Sequence, residues 1–205
     1  MAWKAGTPRE GGEGGANHGS LRKPVFGWKG TPMRLFIAAE PRGAEDALAE
    51  TLAVLRESVH GRFVAPDSLH VTLAFLGEVP AARVDDAIEA VSRACARTDG
   101  PFAVKLGELG SFGKPSRATL WQGLRDHGEL ARLADAVRDE LASCGFAFDT
   151  KKFRAHITLM RNADLTRGTL PPAFPADARI ESAILFRSDL SGPRPVYDPL
   201  FEARL

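Results

Sequence analysis

Two copies of one short pattern, His70-Val71-Thr72-Leu73 and His156-Ile157-Thr158-Leu159, stand 86 residues apart, each inside a run of β-forming residues. In an extended strand residues i and i+2 share a face, so each copy sets an imidazole beside a hydroxyl and turns its aliphatic neighbours the other way. Each copy is half of a site. One His-x-Thr arises by accident in roughly a quarter of chains of this composition, whereas two in the same aliphatic setting point to a common cause.

The pattern around each copy is similar. Residues 34–39 read as a strand with Leu35 and Ile37 on one face and Arg34, Phe36 and Ala38 on the other. Leu48, Leu52, Leu55 and Val59 then recur at helical spacing, and the first motif strand runs over 68–76, ended by Gly77. Pro80 opens a second helix whose stripe is Val84, Ile88, Val91 and Cys95. Strands over 102–109 and 117–124 form a hairpin, a third helix carries Leu130, Leu133, Val137 and Leu141, and the second motif strand covers 153–161. Residues 163–180, rich in Pro and Ala, read as a loop over or beside the site, and strands at 182–187 and 200–205 complete the chain. This order predicts an α+β domain over 33–205. It has two pseudo-symmetric lobes, whose antiparallel-rich sheets face a central cleft and carry helices on their outer faces. Residues 1–32, with Gly-Gly-Glu-Gly-Gly at 11–15, lack the aliphatic content to fold alone and read as a flexible extension, so Met33 is a candidate start of translation.

Composition narrows the class. The apolar runs are far too short for a membrane helix and the N-terminus lacks an apolar signal core, which predicts a cytoplasmic protein, expected as a monomer. Cys95 and Cys144 are isolated on helical patterns, offering neither disulfide nor metal site. Net charge is +1, but residues 1–32 hold five basic and two acidic side chains, leaving the folded body slightly acidic. That balance excludes coating of long nucleic acid and leaves a local contact at Lys151, Lys152, Arg154 and Arg161.

Two histidines across a cleft, without a nucleophile motif, suggest one acid and one base acting on opposite ends of a bond, each worth about 10²–10⁴-fold in rate. Thr72 and Thr158 supply hydroxyls for an anion with several oxygens, for which phosphate esters fit best. His18, His60 and His127 sit in the extension, a helix end and a helix start, so no third ligand joins the pair and no metal or cofactor is expected.

Four segments carry a family resemblance: 33–38, 70–77, 153–161, and Ser188-Asp189-Leu190 with Gly192-Pro193 through Tyr197. The chain resembles the two-histidine (2H) phosphoesterases, specifically the RNA 2',3'-cyclic phosphodiesterases also described as 2'-5' RNA ligases (ThpR/LigT). The resemblance implies metal-independent opening of a 2',3'-cyclic phosphate at an RNA end or on a nucleotide to a 2'-phosphomonoester. It makes His70 the proton donor and His156 the proton acceptor, with Thr72 and Thr158 on the non-bridging oxygens. Phe36 is then a candidate to stack on a base, and Arg161 to reach phosphate, although its strand parity is wrong unless the strand bends. Two departures from the family pattern stand out: Ala155 in place of Pro, which loosens the strand's entry, and Met160 in place of a small residue, which narrows the cleft if parity holds. The same pair also fits a 2'-5' phosphodiesterase or its reversal as a ligase, and, without proton transfer, a module that only holds RNA ends.

Overall fold

Each apolar period in the sequence becomes an element of a computed structural model that describes residues 30–125, 127–167 and 169–205. Residues 1–29 of the expected extension lie outside the described residues. In chain order the elements are β1 (Met33–Ala39), α1 (Glu45–Ser58), β2 (His60–Phe63), β3 (Val71–Val79), α2 (Val84–Cys95), β4 (Phe102–Phe112), β5 (Ala118–Arg125), α3 (Gly128–Ser143), β6 (His156–Asp164), β7 (Asp177–Ile180), β8 (Ser182–Asp189) and β9 (Val196–Arg204).

The strands form an antiparallel sheet in the order β7-β4-β5-β6-β3-β1-β8-β9, with β2 also paired to β6. The lobes are β7-β4-β5-β6 with β2, and β3-β1-β8-β9. Between β3 and β6 they meet at one registered pair, Val71 with Ile157, and a separate bridge joins Arg42, just after β1, to Arg179 of β7. The bilobal α+β expectation therefore holds, with the two sheets joined at that seam into one.

Aliphatic side chains on one side of the sheet pack against all three helices. Leu52 and Leu55 of α1, Val91 of α2, and Leu133 and Leu141 of α3 are fully buried in this core with Leu35, Leu73, Leu120 and Ile157. Burying each such side chain contributes about 1.5–3 kcal/mol. Behind the seam α2 and α3 are tied to each other, because Glu140 accepts from Arg93 at 2.8 Å and from Arg97 at 3.2 Å. The opposite side of the second lobe carries a smaller apolar cluster, Phe36, Ala38, Ile184 and Phe186, against which Phe75 and Tyr197 pack.

Several boundaries differ from expectation. The sequence pattern does not reveal β2 and β7, since each has only four residues, too few to show a period. His60 opens β2 instead of ending a helix. A 3-10 turn at Pro66–Ser68 precedes the first motif strand, so His70 stands at its mouth. Gly77 does not end β3; it takes φ +71°, a conformation open to glycine, and the strand continues to Val79. Pro80 leads into a 3-10 turn, Ala81–Arg83, before α2. Residues 169–176 lie away from the cleft: Phe174 donates its N–H to the Thr51 hydroxyl (3.1 Å) and accepts at its carbonyl from the Gln122 amide (3.0 Å), and both partners are buried on the helix side.

Both motif strands contain a bulge just after the motif leucine. In β3, Leu73 and Ala74 are both buried where the register with β1 shifts, and in β6, Leu159 and Met160 are both buried where the register with β5 shifts. A bulge adds one residue and inverts the alternation beyond it. The carbonyl of each bulged leucine finds a donor outside its ladder: Arg138 Nε reaches Leu73 at 3.2 Å, and the Val64 N–H reaches Leu159 at 2.9 Å.

Candidate active site

The Val71–Ile157 pair sets the two motifs in antiparallel register, and both side chains of the pair are fully buried. Alternation then turns His70, Thr72, His156 and Thr158 to the opposite face. Extending the same register by one residue sets His70 across from Thr158 and Thr72 across from His156. The site is thus a local two-fold centred on the seam.

The two imidazoles are held alike. His70 Nδ1 lies 2.8 Å from the Ser68 carbonyl and His156 Nδ1 lies 2.6 Å from the Arg154 carbonyl, each two residues upstream. A carbonyl oxygen only accepts, so each Nδ1 carries a proton and donates it. The other nitrogen, Nε2, is left to accept a proton when the ring is neutral or to give one when it is charged.

Aromatic walls surround each ring. His70 stands against Phe36 (centroids 5.0 Å apart) and edge-on to Tyr197 (5.4 Å), while His156 stands edge-on to Phe112 (5.1 Å) and near Trp121 (5.9 Å). Burial disfavours the charged imidazole and is the main cause that lowers His70 to about 4; Arg161 and His156 push it further down, while the Ser68 carbonyl opposes the shift. His156 is also lowered by burial, with Arg154 and Arg161 adding to the effect. Arg161 therefore acts on both rings.

A cavity of about 270 Å³ holds His70, Thr72, Phe36 and Arg161 together with Arg34, Arg62, Phe75 and Tyr197. The β6 bulge brings Arg161 here against its nominal parity. The same bulge sends Met160 into the core, where it is fully buried, so it does not narrow the cleft. Phe36 is 3% exposed, with Phe186 stacked at 5.2 Å on its ring besides His70 and Tyr197. It is the floor beneath His70 and has no free face for a base. Ala155 leaves no loose entry, because it is buried and its carbonyl accepts from the Leu124 N–H at 3.2 Å. The expected basic cluster divides: Lys151 pairs with Asp149 at 3.0 Å on the surface, while Arg154 packs over Phe112 and Trp121 beside His156. Among the described residues no three His, Cys, Asp or Glu side chains converge as a metal site.

Sequence reasoning misses Arg62, Phe75, Phe112 and Trp121. Arg62 lies on the short β2, and Phe75 faces the cavity only because of the β3 bulge. Phe112 and Trp121 belong to hairpin strands whose alternation is legible but whose side of the sheet is not.

The family model described as the 2'-5' RNA ligase superfamily matches residues 44–189. The chain belongs to this superfamily. A relative from Archaeoglobus fulgidus described as an RNA 2',3'-cyclic phosphodiesterase is 32% identical over 183 residues, covering 82% of this chain and 98% of its own. One of the same description from Escherichia coli K12 is 33% identical over 172 residues, covering 82% and 94%. Among solved superfamily folds, Escherichia coli LigT complexed with 3'-AMP matches with a TM-score of 0.71 at 28% identity, over 85% of this chain and 98% of that one. A Thermus thermophilus protein, TT0787, matches with a TM-score of 0.72 at 31% identity, over 84% and 98%.

Proposed function

We propose that this protein hydrolyses 2',3'-cyclic phosphates at RNA ends or on nucleotides to 2'-phosphomonoesters, by acid–base catalysis between its two histidines. The observation that carries the reading is the matched pair of Nδ1–carbonyl contacts, which leaves one Nε2 on each side of the seam to take or give a proton. In the proposed step His156 Nε2 takes a proton from water as the water oxygen attacks phosphorus. The bond from phosphorus to the ribose 3'-oxygen breaks, and His70 Nε2 gives that oxygen its proton. Thr72 and Thr158 donate hydrogen bonds to the non-bridging oxygens, and Arg161 balances their charge. Run in the same direction with a ribose 5'-hydroxyl in place of water, the same pair joins ends through a 2'-5' linkage, which accommodates the ligase description of the superfamily. The expected setting is cytoplasmic. No helix among the described residues is long and apolar enough to cross a membrane.

The deeper depression of His70 favours a second assignment of roles, because in the free protein His156 holds a proton more readily. Substrate acts against that order: its negative charge offsets Arg161, and the ring in the drier setting gains most from a nearby anion.

The test is turnover of a 2',3'-cyclic mononucleotide in excess EDTA, with the product isomer identified by phosphorus NMR. Formation of the 2'-phosphate, falling about 10²–10⁴-fold in both His70→Ala and His156→Ala, supports the reading; absence of turnover in the wild type ends it. Variant pH profiles orient the pair. If His70 is the acid, His70→Ala loses the alkaline limb of kcat/KM, whereas the acid limb disappears if the roles are exchanged.

A further inference from the structure

A second hollow of about 70 Å³ adjoins the first, and Arg62, Arg161, Pro195 and Tyr197 line both. The rest of its wall includes Arg194 and Ser68, whose carbonyl holds His70. Three arginines therefore line a space large enough for a phosphate group and too small for a nucleoside. Arg62 and Arg161 are direct cross-strand partners in the β2–β6 ladder. Like charges placed opposite each other repel; at these exposed residues solvent screens the repulsion, and an anion between them would relieve it further. Among the described residues, none of the three arginine side chains has an ion pair or a hydrogen-bond partner. Elsewhere on the molecule acids do neutralise arginines, as Asp198 does Arg187 at 2.6 Å and Glu140, on the helix side, does Arg93.

We infer that the second hollow binds a phosphate one ribose away from the reacting one, namely the 5'-phosphate of the nucleotide that carries the cyclic end. The inference rests on the reading that the cyclic phosphate sits between the histidines. Arg161 belongs to both hollows and touches both phosphates, while Arg62 and Arg194 serve the outer one. The site then distinguishes a strand end, whose last nucleotide always has a 5'-phosphodiester, from a free nucleoside cyclic phosphate.

Binding and turnover test this separately on the full chain. Calorimetry compares adenosine 2',5'-bisphosphate with adenosine 2'-monophosphate, the product-like ligands, at fixed ionic strength. The bisphosphate is expected to bind at least about tenfold more tightly, and Arg194→Gln and Arg62→Gln are each expected to shrink that ratio several-fold, with melting curves confirming that both variants fold. A wild-type ratio near one, or a ratio unchanged in both variants, overturns the inference. Turnover is then measured on adenosine 2',3'-cyclic phosphate, its 5'-phosphorylated form and the dinucleotide ApA ending in the cyclic phosphate. Higher kcat/KM for both extended substrates supports a phosphate reader for strand ends, whereas a gain confined to the 5'-monoester overturns the strand-end assignment. Equal kcat/KM for all three defeats this inference and leaves the hydrolase reading standing. A bisphosphate preference without turnover of any cyclic substrate supports the outer subsite while defeating the hydrolase reading.

Discussion

The packing that aims His70 also keeps it uncharged. Its ring is lowered to about 4 chiefly by burial, whereas the unfolded chain titrates at the ordinary 6.5. Between about pH 6.5 and 4 the unfolded state therefore binds a proton that the folded state refuses, so stability is present above this window and is lost as pH falls through it. The difference amounts to about 3 kcal/mol. His70→Gln removes the titration, and urea unfolding from pH 6.5 to 4 is expected to show a loss smaller by about that amount than in the wild type; parallel curves would refute it. Catalysis inherits the same bias. In the proposed mechanism only the form with one charged ring is productive, and both rings are lowered, so the bell of kcat/KM is expected to centre below about pH 6.5, a prediction that an optimum above neutrality would contradict. At this scale much was legible. Strand alternation alone set His70 beside Thr72 and His156 beside Thr158, since no bulge intervenes between them. It failed at Met160 and Arg161, two and three residues further on, because a bulge leaves no signature in side-chain chemistry.

At the scale of elements, the site depends on one short strand that periodicity does not reveal. β2 runs along β6 where that strand is bent: Asn162 takes φ +53°, its side chain accepts from Arg117 at 3.0 Å, and Gly61 lies directly over the bend. A Cβ added at Gly61 would stand 2.9 Å from Ala163 Cα and 3.1 Å from the Asn162 carbonyl, both backbone atoms that cannot yield without moving the strand. Gly61→Ala is expected to cost about 1–3 kcal/mol in denaturant unfolding and to displace Arg62 from the cavity. An unchanged midpoint would show that β2 adjusts freely. The long elements behaved differently in the sequence. The leucine stripe of α3 appeared as expected at Leu130, Leu133, Val137 and Leu141, because sixteen residues give a period room to declare itself. On α2 the burial shifted toward Ala87, Ala90 and Ala94, small residues through which that helix approaches its neighbours, leaving Val84 and Ile88 at the margin.

Across the whole molecule, the lobes are joined firmly behind and narrowly in front. The helices pack together on the core side, and Arg83 of the turn before α2 reaches the Cys144 carbonyl at the end of α3 at 2.6 Å. The sheet side offers the Val71–Ile157 pair at the site and, away from it, the Arg42–Arg179 bridge. Amides at 70–72 and 156–158 are expected to exchange hydrogen faster than those of β1 or β8, and to slow when adenosine 2'-monophosphate is added. Equal protection in the free protein would mean that the seam is as rigid as the lobes. The repeat in the sequence announced two lobes, but a single pairing residue is too small a feature for any pattern to announce. In the proposed complex, a nucleotide touching His70 on one lobe and Thr158 on the other is a further staple between them. Letting the product go means drawing that staple, a motion through solvent, so turnover should slow as the medium is made more viscous.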